Sequence, residues 1–303
     1  MKPILKYKSG ACLYSEKVKC FNGLYAVHVE LTNRCNKRCW MCGRRKLEKE
    51  YPHLANFNKD MDFELVKKIA EQLPENIIVH LHNNGEPTLY PKLKEAIKLF
   101  KNQITHFDTN AILLLEKADE IINNLDILTV SVIENDPLGD EQFKTVKKFL
   151  KLKKNKKPRV VFRLLGDVAV YKVKINKETL RVREPYKKIR WYNLAKKHNC
   201  LIATRTLHSP DGSFDYKKKV TIPEHGICLE ILTHLAIDVD GNVSVCVRFD
   251  PLKKLVIGNA KKQKLIDIWY SKKRLKWVKE HIKGNRNCNE VCAKCDYWGI
   301  PIG

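Results

Sequence analysis

The chain is 303 residues long, with 58 Lys and Arg against 34 Asp and Glu for a formal net charge of +24, and is 44% hydrophobic. That is the composition of a globular protein with room for one large α/β domain and a smaller one; no apolar run reaches bilayer length, and residues 1–6 lack the apolar core and cleavage site of a secretory signal. Eleven cysteines, an odd number in C-x-x-C-like groups, fit metal ligation in a reducing compartment, the cytoplasm, better than a disulfide framework.

In chain order, residues 25–32 predict a strand followed by a cysteine-rich loop. Residues 63–72 predict a helix with Phe63, Val66, Ile69, Ala70 and Leu73 at helical spacing and Asp62 as N-cap. Strands are predicted at 77–81, 105–108, 127–132, 159–164 and 200–206. The helices between them are 93–100, entered through Pro91, then 115–124, 140–152 and 185–198. The 159–164 strand is nearly continuous in apolar character, as when both faces are covered. Residues 172–183 alternate polar and apolar and read as a small insertion or lid. Six strands with helices between them imply a parallel sheet with right-handed crossovers, and reactive groups then gather at the carboxyl ends of the strands.

This alternation stops near 220–223, where a second unit is expected to begin. Residues 237–245 predict a β-hairpin turning at Asp240-Gly241, and 265–282 a single helix with Leu265, Ile268, Trp269, Leu275, Trp277 and Val278 as its apolar positions. The expected division is an N-terminal extension 1–24, a main domain 25–219 and a C-terminal domain 220–303.

The most informative run is Cys35-Asn36-Lys37-Arg38-Cys39-Trp40-Met41-Cys42, directly behind the first strand. Three thiolates bind three irons of a four-iron, four-sulfur cube and leave the fourth iron open for chemistry. Zinc on this run alone would be one ligand short, and the polar neighbours Asn36, Lys37 and Arg38 oppose a buried structural trio. The C-x3-C-x2-C spacing with Trp40 inside it resembles the motif of the radical S-adenosylmethionine (radical SAM) enzymes. The resemblance implies a partial (β/α)6 TIM-like barrel, a 4Fe-4S cluster and SAM as cofactor.

Asn84-Gly85-Glu86-Pro87, after the second strand, resembles the family's glycine-glycine-glutamate-proline motif for the SAM amino group, with Asn84 in place of the first glycine. By the same resemblance Trp40 stands where an aromatic meets the adenine. Thr109, Asn110 and Ser131 stand where relatives hold the ribose or carboxylate, and Arg163 where a guanidinium could pair with the carboxylate in bidentate fashion. Cys228, Gly241, Cys246, Cys292 and Cys295 resemble the SPASM/twitch extensions of this superfamily, which implies a small C-terminal α+β domain with an auxiliary 4Fe-4S cluster. The full SPASM pattern needs seven cysteines for two clusters and only five stand here, so one auxiliary cluster is expected, on Cys228, Cys246, Cys292 and Cys295, with Cys288 as an alternative ligand. A structural zinc on the same thiolates is the competing reading.

Cys12, Cys20 and Cys200 show no partner pattern and read as buried or incidental, and Trp269, Trp277 and Trp298 as core. His80, His82, Glu134, Asp136 and Asp167 lie near predicted strand ends, where surface or capping roles are the more ordinary ones, and no catalytic residue is assigned from the sequence. The resemblance implies reductive cleavage of SAM to a 5′-deoxyadenosyl radical that abstracts hydrogen from a substrate, with flavodoxin or ferredoxin as reductant. The positive charge favours an anionic small molecule such as a sugar nucleotide, oxidised or epimerised. The lysines are dispersed, with tight runs only at 151–157 and 217–219 and no aromatics interleaved, so RNA or DNA is an alternative to the small molecule and not the first choice. A peptide is a further candidate substrate, and a non-enzymatic iron–sulfur electron carrier is the rival class of function.

Overall fold

The computed structural model describes residues 23–175, 178–205, 207, 228–247, 250, 252–293 and 295. Residues 220–223, Cys12, Cys20 and Trp298 lie outside them. The described residues form two compact units: 106–207 make one, and 23–105 with 228–295 the other. The chain passes from one to the other inside a single strand, β3 (Ile104–Thr109).

In the 106–207 unit, β3 pairs parallel with β4 (Ile127–Ile133), β4 with β5 (Arg159–Leu165), and β5 with β8 (Leu201–Arg205). The crossovers are helical: α4 (Ala118–Ile121), α5 (Gly139–Lys153) and α6 (Pro185–His198). The last begins on Pro185, whose fixed φ and missing N–H suit a first turn, and ends at Asn199 in the left-handed region. Its Trp191 is buried edge-on against Phe143 and Phe162, with ring centroids 5.0 and 4.9 Å away. The expected insertion at 172–183 is an antiparallel pair, β6 (Val170–Ile175) and β7 (Glu178–Arg183). The helix expected at 115–124 is confined to α4, with turns on either side.

In the other unit the strand order is β11-β10-β9-β1-β2. β1 (Ala26–Val29) pairs parallel both with β2 (Ile78–His80) and with β9 (His234–Ile237). The predicted hairpin exists: β9 pairs antiparallel with β10 (Asn242–Ser244), and Gly241 takes φ +85° at its turn. A third strand, β11 (Val256–Asn259), continues the meander. The hairpin is therefore not a separate layer; its first strand extends the parallel sheet.

Two helices of this unit stand nearly as predicted. α2 (Phe63–Ala70) is capped by Asp62, whose carboxylate accepts from Glu64 N and Leu65 N. α3 (Leu93–Leu99) follows Pro91, and α2 carries Leu65, Val66 and Ile69 into the core. Other helices differ from the sequence expectation. α1 (Arg44–Glu50) follows the cysteine run, and α7 (Leu229–Thr233) leads into β9. The single helix expected over 265–282 is two, α8 (Leu265–Trp269) and α9 (Lys272–Ile282). The break has a local cause: Ser271 leaves the helical region and its hydroxyl accepts from Arg274 N as a new N-cap. Trp269 is buried, whereas Trp277 is half-buried.

Candidate functional site

The cysteine run leaves β1 through a segment that is pinned on several sides. Met61 N donates to Leu31 O, Asn33 N to Lys59 O, and the Arg34 guanidinium grips Asp60 with two bonds of 3.0 and 2.8 Å. The same guanidinium reaches Leu89 O at 2.6 Å. The loop that follows β2 seats directly on this segment: Glu86 N donates to Arg34 O at 2.8 Å. A Cβ placed on Gly85 would stand 2.0 Å from Thr32 O and 2.9 Å from Arg34 O. Only glycine permits that approach. The structure thus brings Asn84, Gly85, Glu86 and Pro87 against the root of the run that carries Cys35, Cys39 and Cys42.

Two charged side chains absent from the sequence expectations lie at this junction. Glu30 is buried; its Oε1 accepts from Asn84 N at 2.9 Å, and burial raises its pKa to about 7. Arg44 is buried on the first turn of α1, its guanidinium 3.8 Å over the Phe57 ring, and its charge acts on both Cys35 and Cys42. Burial pushes the Cys35 thiol up, and the Arg44 charge opposes that shift. The sequence signal for Arg44 was its position, two residues past the last cysteine of the run. The Glu86 carboxylate does local work, accepting from Thr88 N and Thr88 Oγ1. Trp40 is 36% exposed.

In the 106–207 unit, Arg163 on β5 forms an ion pair with Asp108 on β3. Asp108 also faces His106 Nε2 at 3.2 Å, and that nitrogen lies 2.8 Å from Thr129 Oγ1. Burial lowers the pKa of His106, so its imidazole is neutral at pH 7. Arg163 is therefore held and oriented by a carboxylate. The Thr109 hydroxyl accepts from Ala111 N, and the Asn110 side chain from Ile112 N. Gln142 Nε2 donates to the carbonyls of both Asn110 and Ser131 at 2.9 Å, tying α5 to the carboxyl ends of β3 and β4. Of the acidic residues near strand ends, Asp136 closes a local turn by accepting from Leu138 N, whereas Glu134 accepts from Asp167 N and pairs with Arg181 at 3.3 Å. Asp167 in turn pairs with Arg183 at 2.8 Å and accepts from Ala169 N. Cys200 is half-buried, and burial takes its thiol up to about 11.

The C-terminal cysteines converge. The thiols of Cys228, Cys246 and Cys295 are each close enough to Cys292 to act on its charge. Burial is the largest effect on Cys228 and Cys292 and pushes both thiols upward, so a cation is needed to hold them as thiolates. The scaffold is local. Cys228 is the N-cap of α7, and Cys246 N donates to Ser244 Oγ, which donates to Asp250. Arg286 holds the carbonyls of Ala293 and Cys295 at 2.9 Å. Asn289 Nδ2 reaches the sulfurs of Cys292 and Cys288, so Cys288 stands beside the group.

Comparison with known proteins matches a family pattern to each of the two segments that carry these thiols. The Radical SAM superfamily pattern matches residues 29–174, and the SPASM pattern, an iron-sulfur cluster-binding domain, matches residues 228–296. A Pyrococcus furiosus protein described as "Tungsten-containing aldehyde ferredoxin oxidoreductase cofactor-modifying protein" is 32% identical over 112 residues, 35% of this chain and 29% of that relative's length. Among solved structures, BtrN in complex with AdoMet and 2-DOIA superposes with a TM-score of 0.53 at 19% identity, covering 90% of this chain and 92% of BtrN. Streptococcus suis SuiB bound to precursor peptide SuiA gives a TM-score of 0.61 at 16% identity, over 97% of this chain and 74% of SuiB. These likenesses carry the fold, a partial TIM-like barrel built on a mostly parallel sheet. The two pattern matches, over residues 29–174 and 228–296, give this chain a radical SAM domain and a C-terminal SPASM iron-sulfur domain, and with them S-adenosylmethionine and 4Fe-4S clusters as its cofactors.

Proposed function

We propose that Cys35, Cys39 and Cys42 hold the SAM-binding 4Fe-4S cluster and that Cys228, Cys246, Cys292 and Cys295 hold one auxiliary 4Fe-4S cluster, in an enzyme that oxidises or epimerises an anionic small molecule. When bound, the cluster and SAM supply a 5′-deoxyadenosyl radical able to take a hydrogen atom from an unactivated carbon. The residues present suit these groups. Soft thiol donors stand in threes and fours, Arg44 adds positive charge beside Cys35 and Cys42, and Gly85 lets a backbone edge lie flush with the cysteine segment.

The chain's own part is to bind and orient. The loop carrying Asn84, Gly85, Glu86 and Pro87 offers main-chain carbonyls for an ammonium group. Arg163, aligned by Asp108, offers a guanidinium to a carboxylate, at the cost of sharing it. Thr109, Asn110, Ser131 and Trp40 complete the proposed SAM contacts. Once a substrate carbon is held against the reactive group, position decides which hydrogen is taken. Cys228, Cys246, Cys292 and Cys295 would hold the auxiliary cluster, which would supply an acceptor for the second electron of an oxidation.

A net charge of +24 supports an anionic substrate. The name of the Pyrococcus furiosus relative, which refers to a cofactor as the thing modified, supports a small-molecule substrate. A peptide substrate is the second reading, supported by the SuiB–SuiA complex. Flavodoxin or ferredoxin is the proposed reductant, and the cytoplasm, which keeps thiols reduced, the proposed compartment.

The observation that carries the proposal is the gathering of Cys228, Cys246 and Cys295 around Cys292. After anaerobic reconstitution, Cys39→Ala should abolish 5′-deoxyadenosine formation; continued production would overturn the assignment, and no production by the wild-type enzyme would favour an electron carrier. The Cys292→Ala, Cys295→Ala double variant should fall from about eight irons per chain to about four. Zinc in the wild-type protein that disappears in this double variant, with iron unchanged, would show that the second site is a zinc site.

A further inference from the structure

Three strands bring three imidazoles to one place. His28 on β1 and His80 on β2 are Cα partners across the parallel pair, and their rings stack with centroids 4.2 Å apart and planes 18° from parallel. The register of β1 on β9 sets Ala26 opposite His234 and His28 opposite Ala236. His234 is therefore one same-face step from His28, with its ring centroid 6.0 Å away. One ring nitrogen of each of the three lies within 4.8 Å of the other two. His80 is buried, and His28 and His234 are half-buried. His82, two residues beyond His80, stands edge-on with its centroid 5.8 Å from both His28 and His80.

The chemistry of this group differs from that of the thiol clusters. Every donor is an imidazole nitrogen. A neutral imidazole carries its hydrogen on one nitrogen and a lone pair on the other. His234 Nδ1 lies 2.7 Å from Thr233 Oγ1 and 3.3 Å from the Glu230 carboxylate on α7. With the Thr233 hydroxyl donating to Leu229 O at 2.6 Å, a hydrogen on Nδ1 would point at Oγ1 and leave Nε2 as the lone-pair nitrogen. Three protonated rings this close would repel strongly, whereas three lone pairs aimed at a shared divalent cation are mutually stabilised through it.

We propose that His28, His80 and His234 bind a divalent d-block cation, Zn²⁺ in first place, with a fourth coordination position open to water or to an oxygen of an anionic ligand. Three imidazoles are a donor set that suits Zn²⁺ and its neighbours in the series, and three protein ligands with one open position mark a site that can take a ligand. The inference rests on the sheet register and the ring geometry and does not depend on the reading of the cysteines.

The test uses the iron–sulfur-reconstituted protein, equilibrated with Zn²⁺, desalted and analysed for metals. About one zinc per chain is expected beyond the iron, with an X-ray absorption first shell of nitrogen and oxygen at about 2.0 Å and no sulfur at about 2.3 Å. The His80→Asn, His234→Asn double variant should lose zinc retention at least tenfold with its iron unchanged. The proposal fails if the wild-type protein retains no zinc, if sulfur occupies the first shell, or if the double variant keeps its zinc. Should that variant lose iron as well, it has lost its fold, and the wild-type absorption spectrum decides alone.

Discussion

Gly85 shows how little tolerance the candidate site has at a single residue. The Cβ of Gly85→Ala would sit 2.0 Å from a backbone oxygen of the segment leading into Cys35, so one of two backbones must move. We expect a loss of about 1–3 kcal/mol in denaturant unfolding, typical of forced overpacking, together with weakened SAM binding in a titration of the reconstituted protein. Unchanged stability and SAM affinity would mean that the two segments do not touch as described. His281 carries a different test. It is buried on α9, and burial lowers its pKa to about 4, below the ordinary 6.5. A depressed histidine pKa means that the unfolded chain takes up the proton first. The stability held by the neutral ring is complete above pH 6.5 and is lost as pH falls toward 4, by up to about 3 kcal/mol. His281→Leu should flatten that part of the stability profile relative to wild type, whatever its effect at pH 7.5. Parallel profiles for the two proteins would show that His281 does not titrate in this way.

At the scale of elements, the break between α8 and α9 is held by two neighbours in sequence. Ser271 caps α9, and Arg274, buried one turn later, donates to Trp269 O at 3.0 Å and to Ile231 O and Leu232 O at 3.1 and 3.2 Å. Arg274 thus joins the end of α8 to the end of α7, the helix that Cys228 caps. Ser271→Ala should cost about 1 kcal/mol. Arg274→Ala, which leaves three carbonyls short of a donor, should cost about 3 kcal/mol or more and lower auxiliary iron in the same preparation. A cost below that of Ser271→Ala would contradict the linking role. The break was not legible from the residues, because the apolar spacing runs on through 265–278 and a serine fits a helix interior as well as a cap. α6 was legible to the residue, because Pro185 starts it and Asn199 stops it. The cysteine run and the Asn84–Pro87 turn could be read because each lies within one short segment. Arg44 sits next to that run yet carries no pattern of its own. The histidine group could not be read: His28 and His234 are 206 positions apart in the numbering, and only the parallel pairing of β1 with β9 makes them neighbours.

For the whole molecule the deciding quantity is the charge of +24 and how it is spread. Many of the basic groups are already answered locally. Lys253 pairs with Asp238 and Asp240, Lys59 with Asp240, Lys157 with Asp126, and Arg190 with Asp140. Such exposed pairs contribute little stability, but they break the surface into small alternating patches. A protein that neutralises six to ten phosphates loses about 10³–10⁵ in nucleic-acid affinity between 50 and 200 mM salt, and it retains specificity only where base contacts add to the charge. We expect RNA and duplex DNA to bind this protein weakly at 50 mM salt, with no sequence preference and with loss of binding by about 200 mM. A small anion held at a built site contacts few charges, so its affinity should change by less than about tenfold over the same range. Filter binding across a salt series checks the first statement, and competition for SAM turnover by nucleoside diphosphates or sugar nucleotides the second. Tight, sequence-selective RNA binding that survives 200 mM salt would transfer the substrate assignment from small anions to nucleic acid while leaving the cluster ligands as they stand.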